Sequence, residues 1–416
     1  GKGTQWEGLY EGGLDKKYVQ VANIDLSDYS KEEGWTPIGN YSSKFTGSFN
    51  GNGYKITGLT INRPDTNYIG LFGYTEGATI ENVALEDVNI KGKEYTGGLV
   101  GTAYESSITN SYATGSVTGK DFTGGLVGRA IRSTKITNSY ATGSVTGTRY
   151  TGGLVGYANS LTKITNSYAT GAVEGTGSST GGLVGEANNS SITNSYATGS
   201  VSSEGNYTGG LVGYAGDSTG WANESTSIEN SYATGSVTGT RYTGGLVGYA
   251  DYSTITNSYA TGSVIGGSHW TGGLVGKAYQ SSISNSYATG SVEGTGSQTG
   301  GLVGKAYKSS ITNSYATGSV SSEGNYTGGL VGYAEYSTIT NSYATGSVTG
   351  GSYRGGLVGY ATTTTSTITN SYWDTETTGL TWSAGGEGKT TDEMMKKATY
   401  PSSWDFENVW KIDEGK

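Results

Sequence analysis

The chain has no cysteine, three prolines, one histidine and no extended apolar run in 416 residues. Without cysteine, disulfides, zinc–thiolate sites and thiol catalysis are excluded. Three prolines against 74 glycines exclude a collagen-type helix, which needs glycine at every third residue and abundant proline. No stretch approaches the about 20 apolar residues of a transmembrane helix, so no membrane insertion is expected in this segment. Charged residues are only 14%, the net charge is −9, and no basic block occurs. That argues against nucleic acid and against an electrostatic membrane anchor. Nothing at the start reads as a signal peptide. A chain opening Gly1-Lys2-Gly3 reads as a mature protein or an excised piece.

What is present is one sentence written ten times: T-G-G-L-V-G-x-A, a short variable stretch, then I-T-N-S-Y-A-T-G-S-V-x-G. Its leucine falls at Leu99, Leu126, Leu154, Leu183, Leu211, Leu246, Leu274, Leu302, Leu330 and Leu357, and a looser copy places Leu71 upstream. A fixed period near 28 residues signals a repeat architecture, in which each coil packs only on its neighbours. Glycine- and serine-rich chains can be disordered, but here Leu, Val, Ala and Ile recur in register, as an ordered core requires.

Gly, Ser, Thr, Asn, Tyr and Val are weak helix formers, and no 3.6-residue apolar stripe runs through the repeat. Three strand-like pieces fit instead: Gly125 to Ala130, Thr134 to Thr142, and Gly143 to Thr146. Glycines separate the first and third, where the backbone needs φ > 0 or close approach. Stacked coils would put like residue on like residue, with parallel strands about 4.8 Å apart. Propeller blades usually need about 40 residues or more, and hairpins would show Asn-Gly or Asp-Gly turns. The expectation is an all-β parallel β-helix solenoid of about eleven coils, right-handed by the crossover rule.

The first, atypical coil orients the faces. Ile80-Glu81-Asn82-Val83-Ala84-Leu85 aligns with Ile108-Thr109-Asn110-Ser111-Tyr112-Ala113. Val83 and Leu85 should point inward, which makes Ser111 and Ala113 small inward residues and Tyr112 outward. The constant Ala103, Ala130, Ala158 and Ala187 should be inward. Their variable neighbours (Thr102, Arg129, Tyr157, Glu186, Lys277) should be solvated. Asn110, Asn138 and Asn166 should form a ladder of side-chain amides at a turn.

Residues 1–66 do not repeat and read as divergent first coils that close one end of the core. Residues 67–373 form the repeat array, and 374–416 read as a cap. In the cap, Thr390 and Glu393 have capping-box spacing for a short helix near Asp392 to Ala398, followed by Trp404, Phe406 and Trp410. The longer Leu211–Leu246 spacing marks an insertion of about seven residues near Gly216 to Trp221, where insertions in solenoids emerge as loops on one face.

The G-G-L-V-G and N-S-Y-A-T-G-S-V signatures resemble the GLUG-motif repeats of bacterial and archaeal surface proteins. The resemblance extends to F-x-G-x-F-N-G-N-G-Y-K-I-T-G-L-T-I before the array, and to Ser371 to Asp374 and W-D-F-x-x-V-W-K-I-x-E-G after it. It implies a secreted or wall-attached protein, often a module of a large adhesin-like polypeptide. Some members of the family are attached to IgA1-specific metallopeptidases. This chain has no H-E-x-x-H, and its one histidine is His269, so the resemblance implies a non-catalytic module.

No chemistry stands out. Glycoside hydrolysis usually needs two carboxylates facing one bond, whereas Glu105, Asp121, Glu174, Glu186, Glu204, Asp217, Glu224 and Glu229 are scattered. The G-G-x-G-x-D calcium pattern is missing. Asp25, Asp28 and Glu32 read as solvated charges, and His269 as a surface residue. No metal or cofactor is expected. The Thr pairs Thr254/Thr256, Thr338/Thr340 and Thr367/Thr369 resemble an ice-binding face, but Lys135, Lys163 and Glu229 interrupt it, and β-propensity explains the threonines.

Two outward aromatic ladders remain. One is Tyr112 with its equivalents. The other precedes T-G-G-L: Tyr95, Phe122, Tyr150, Tyr207, Tyr242, Trp270, Tyr326 and Tyr353, interrupted by Ser179 and Gln298. Repeated rings can receive sugars or a protein partner, or simply stack on one another. The binding candidates are Tyr150, Tyr207, Trp221, Tyr242, Trp270 and Tyr326. The functional expectation is an extracellular, cell-surface β-helix acting as spacer and multivalent adhesive surface toward glycans or surface proteins. The alternative is a filament subunit that self-associates end to end; an ice-binding protein or a polysaccharide-active enzyme ranks below both.

Overall fold

The computed structural model describes residues 13–216, 225–362 and 364–412. The chain is an all-β parallel β-solenoid of about 12 turns with about 28 residues per turn. It divides into two compact units, residues 1–205 with 211–213 and residues 206–210 with 214–416.

In the first unit, seven short strands stack in parallel in chain order: Lys17–Val19, Ser48–Asn50, Thr79–Glu81, Ser107–Thr109, Lys135–Thr137, Lys163–Thr165 and Ser191–Thr193. Their central residues stand in register: Tyr18, Phe49, Ile80, Ile108, Ile136, Ile164 and Ile192. The non-repeating start is therefore built in the same register as the array. In the second unit Ile228, Ile255, Ile283, Ile311, Ile339 and Ile368 continue the same pattern.

Each coil contains more strands than the three pieces that the sequence suggests. One coil reads Lys135–Thr137, Tyr140–Ala141, Val145–Gly147, Arg149–Gly152 and Val155–Ala158. The stretch read as one strand from Thr134 to Thr142 breaks at Asn138, whose φ of 49° turns the chain through a corner. The T-G-G stretch is a strand of its own, and the chain then turns at the second glycine.

Leu99, Leu126, Leu154 and Leu183 are completely buried, as are the valine after each and the constant alanines Ala103, Ala130, Ala158 and Ala187. Val83, Leu85 and Ala113 also point inward. Each fully buried Leu, Ile or Val stabilises by about 1.5–3 kcal/mol. Ser111 is buried too, and its polarity is matched. Its hydroxyl donates to the Thr109 carbonyl at 2.8 Å and accepts the Val83 N–H at 3.1 Å. Ser139 repeats this on the next coil, donating to the Thr137 carbonyl at 2.8 Å and accepting from the Ser111 N–H at 3.2 Å. The second unit does the same at Ser258, Ser286 and Ser314. A serine hydroxyl here is thus a hydrogen-bond bridge between coils, held to its own coil and accepting from the adjacent one.

Gly125 shows why the double glycine recurs, and the reason is not the left-handed conformation, since its φ is not positive. A Cβ there would stand 2.2 Å from the Gly153 carbonyl oxygen and 2.8 Å from the Ala141 Cβ. The position is a close backbone crossing, the second of glycine's two uses.

The last coil is closed by a tryptophan. Trp373 stands in register with Ala344 and is buried against Gly356. Its Nε1 donates to the Leu380 carbonyl at 3.0 Å. Asp374 then caps a helical turn, Thr375–Thr378. Thr390 and Glu393 make the expected capping box at Thr391–Met394, and a 3-10 turn, Lys397–Thr399, follows. Tyr372, Met394 and Trp404 form a buried cluster with Tyr343, Tyr400, Phe406 and Trp410 packed around it. Ser403 receives the end of the asparagine ladder: its carbonyl and hydroxyl oxygens accept from the side-chain amides of Asn341 and Asn370 at 2.8 and 3.0 Å.

Candidate functional site: the aromatic ladders

The Tyr112 ladder is a nearly parallel stack. In the first unit Tyr112, Tyr140, Tyr168 and Tyr196 follow one another at 4.7–4.8 Å with planes within 4°. In the second, Tyr232, Tyr259, Tyr287, Tyr315 and Tyr343 do so at 4.8–5.0 Å within 6°. In-register coils impose this spacing, which is that of the strands themselves. The ring faces cover each other, so that edges rather than faces are presented outward, and Tyr343 lies against the cap cluster. Burial first, then a hydrogen bond to Glu86 at 2.8 Å, pushes the Tyr112 phenol up to about 12.

The second ladder is less regular. In the first unit Tyr68, Tyr95, Phe122 and Tyr150 stack at 4.8–4.9 Å within 19°. These four bulky residues hold φ of 56–63°. Such backbone is rare for large side chains and costs about 1–3 kcal/mol each. In the second unit Tyr207, Tyr242 and Trp270 stand 4.9 and 4.6 Å apart but tilted by 40° and 43°. Tyr326 stacks on Tyr353 at 5.4 Å. All the predicted binding residues that are described here, namely Tyr150, Tyr207, Tyr242, Trp270 and Tyr326, are half-buried members of this ladder. Trp221 lies outside the described residues.

A neighbouring column, read from the sequence as solvated, turns out to belong to the same surface. The residue before each inward alanine packs against the ladder. Tyr157 meets Phe122 and Tyr150 edge-on at 5.5 Å. In the second unit Tyr249 stacks on Tyr242 at 5.3 Å, and Tyr333 and Tyr360 pack on Tyr326 at 5.4 and 5.1 Å. Thr102 is fully buried, and Arg129, Glu186 and Lys277 are half-buried. The two strands' backbones pass close to each other, a Cβ on Gly156 standing 2.6 Å from the Thr123 nitrogen and 2.7 Å from the Phe122 carbonyl carbon, so side chains of the two columns converge and cover one another. Tyrosine at this position in six coils (Tyr74, Tyr157, Tyr214, Tyr249, Tyr333, Tyr360) was the signal in the sequence.

Cations sit on these rings. The Arg129 guanidinium is 5.5 Å from the Tyr95 ring and 5.9 Å from Phe122. The Lys277 ammonium is 4.9 Å from both Tyr249 and Trp270, and Lys305 is 4.8 Å from Tyr333. Burial, and then the nearby Lys305 charge, lowers the Lys277 pKa from its ordinary value.

The two interruptions differ. Ser179 is buried and donates to Glu186 at 2.9 Å, and Asn188 donates to the other carboxylate oxygen at 2.9 Å. Burial raises the Glu186 pKa despite these bonds. At Gln298 no such network exists. The Gln298 Oε1 and the Trp270 Nε1 are both buried with no hydrogen-bond partner.

The asparagine ladder forms as the sequence suggests. Asn110, Asn138, Asn166 and Asn194 each donate to the preceding Asn at 3.1–3.2 Å. Among the described residues no group of three or more His, Asp or Glu could hold a metal, and no helix is long and apolar enough to cross a membrane.

The family model for the GLUG motif matches nine times, at residues 92–118, 123–146, 147–174, 176–202, 204–238, 239–265, 267–293, 295–321 and 323–349. The chain belongs to the GLUG-motif family. Among curated proteins, this GLUG chain is 43% identical over 90 residues to the "Putative Gly-rich membrane protein" of Evansella cellulosilytica, covering 20% of the chain and 10% of that protein. It is 36% identical over 108 residues to "Halomucin" of Haloquadratum walsbyi, covering 24% of the chain and 1% of that protein. The match therefore spans a small part of either relative. A solved structure, titled a "putative immunoglobulin A1 protease" from Bacteroides ovatus, aligns over 91% of this chain and 79% of its own at 15% identity, with a TM-score of 0.20. So low a score carries no argument about fold or activity.

Proposed function

We infer that this GLUG-repeat chain is a non-catalytic, surface-associated module that serves as a spacer and as a multivalent adhesive surface. The observation that carries the reading is the in-register repetition itself. Near-identical coils present the same outward rings again and again, and weak identical contacts multiply through effective concentration. The names of the relatives, a Gly-rich membrane protein and a halomucin, support a location at the surface. The scatter of carboxylates among the coils supports a role without catalysis. The partners this reading expects are extracellular glycans or surface proteins.

The test is a glycan and extracellular-matrix array probed with the purified chain. Reproducible binding is expected, together with its loss when Tyr207, Tyr242 and Trp270 are all replaced by Ala in a protein that still melts cooperatively. Binding that survives the triple replacement removes the ladder from the adhesive surface. Silence across the array leaves the spacer role alone.

A further inference from the structure

The outer ladder ends on rings that no further ring covers. Tyr353–Gly355 and Val358–Ala361 are the last strands of their sheets in the second unit. Tyr353 packs on Tyr326 at 5.4 Å, and Tyr360 packs on Tyr326 and Tyr333 at 5.1 Å each, all from the preceding coil. Among the described residues no ring follows on the other side. Tyr353 is accordingly 54% exposed and Tyr360 38%, whereas the ladder members before them are half-buried.

The neighbouring positions are open as well. Arg354 stands in register with the fully buried Thr327, yet Arg354 is exposed. Trp382 lies beside the same stretch, its carbonyl accepting the Gly356 N–H at 2.9 Å. It is 54% exposed, and no ring packs on it among the described residues. No described cation sits over Tyr353, Tyr360 or Trp382, in contrast to Lys277 at 4.9 Å from Trp270.

The area and chemistry of this end select the occupant. At about 150–250 Å² per ring, the exposed parts of the three side chains amount to roughly 200–400 Å². A stable protein interface buries about 800 Å² per partner, so the patch suits a small ligand. The rings offer apolar faces, and the exposed Ser352, Arg354 and Thr381 beside them in the chain offer hydrogen bonds. A sugar ring has the matching form, with C–H bonds on its faces and hydroxyls at its rim. The net charge of −9 disfavours a polyanion.

We propose that Tyr353, Tyr360 and Trp382 form a binding site for a neutral glycan, whose pyranose rings lie with their C–H faces on the open aromatic faces. A β-linked glucose chain suits it, because equatorial hydroxyls leave both faces of each sugar to C–H bonds. The inference goes beyond the adhesive reading, which concerns the repeated rings, and is tested separately from it.

The experiment is titration calorimetry of the full chain with cellohexaose at low and high sodium chloride, beside light scattering of the chain alone. Cellohexaose should bind, and no less tightly as salt is added, because no charge pair is screened. Tyr353→Ala and Trp382→Ala should each weaken binding at least about tenfold. Both should melt as the parent does, since more than half of each residue is already exposed. Tyr41→Ala, at an exposed ring of the first unit, should bind as the parent does. Undiminished binding by either Tyr353→Ala or Trp382→Ala overturns the proposal, and so does a failure of cellohexaose to bind the parent. Binding that fades with salt overturns the neutral class. Dimers of the parent that Trp382→Ala abolishes would make a second copy the occupant and overturn it too. In each case the separate glycan array still decides the role of the repeated rings.

Discussion

The Asn138 side-chain amide donates to the Asn110 side-chain oxygen one coil away at 3.1 Å, and both residues hold φ of 49°. One residue type thereby does two jobs at the corner: it tolerates left-handed backbone, and it links coil to coil. Asn138→Ala should lose both and cost about 2 kcal/mol. Asn138→Gly should keep the backbone and cost about half as much. Urea melts of the two variants check the order, and equal losses would mean that the ladder bond alone matters.

Gly125 tests close packing rather than conformation. Gly125→Ala should destabilise the first unit by more than about 2 kcal/mol, because its methyl group would meet a backbone carbonyl that cannot move without its whole coil. An unchanged melting temperature would show that the coils separate more easily than the packing implies.

The stacked tyrosines predict sensitivity to alkali. Burial holds the phenol of Tyr112 at about 12, and raises those of Tyr140, Tyr168, Tyr259 and Tyr287 as well. A phenol whose folded pKa lies above its unfolded value of 10.0 ionises more readily once unfolded. Its contribution to stability is therefore complete below pH 10 and lost as the pH rises through about 12. Circular dichroism followed against pH, beside ultraviolet titration of the phenols, should show structure lost together with ionisation. Phenols that titrate freely near pH 10 in a folded chain would contradict the stacking.

The tryptophan lid predicts association. Trp373→Ala should leave a cavity at the last coil, cost about 3–5 kcal/mol at that end, and loosen the Glu387–Lys389 strand that pairs with Tyr372–Asp374, which frees a sheet edge. Light scattering should then report concentration-dependent assembly, which the parent chain should not show at the same concentrations. A monodisperse variant with unchanged melting would mean that the remaining cap residues suffice.

Much of this was legible in the sequence. The spacing from Leu99 to Leu357 sets the coil length, and the substitution of Val83 and Leu85 by Ser111 and Ala113 identifies the inward face, because a stacked coil repeats its environment. The asparagine ladder follows from the same logic. Less legible were the split of the Thr134–Thr142 stretch at Asn138, the reason for Gly125, and the serine bridges. Those depend on where backbones cross and on which carbonyl lies beneath which hydroxyl.

The sequence by itself determined the repeat, its period, the apolar core and the aromatic columns, since periodicity alone dictates what stacks on what. Only the tertiary structure decided what those columns can offer. Parallel coils one strand spacing apart press ring face to ring face, so Tyr112 and its equivalents present edges. The close backbone approach of two strand columns brings Tyr249, Lys277 and Trp270 together although they come from separate strands.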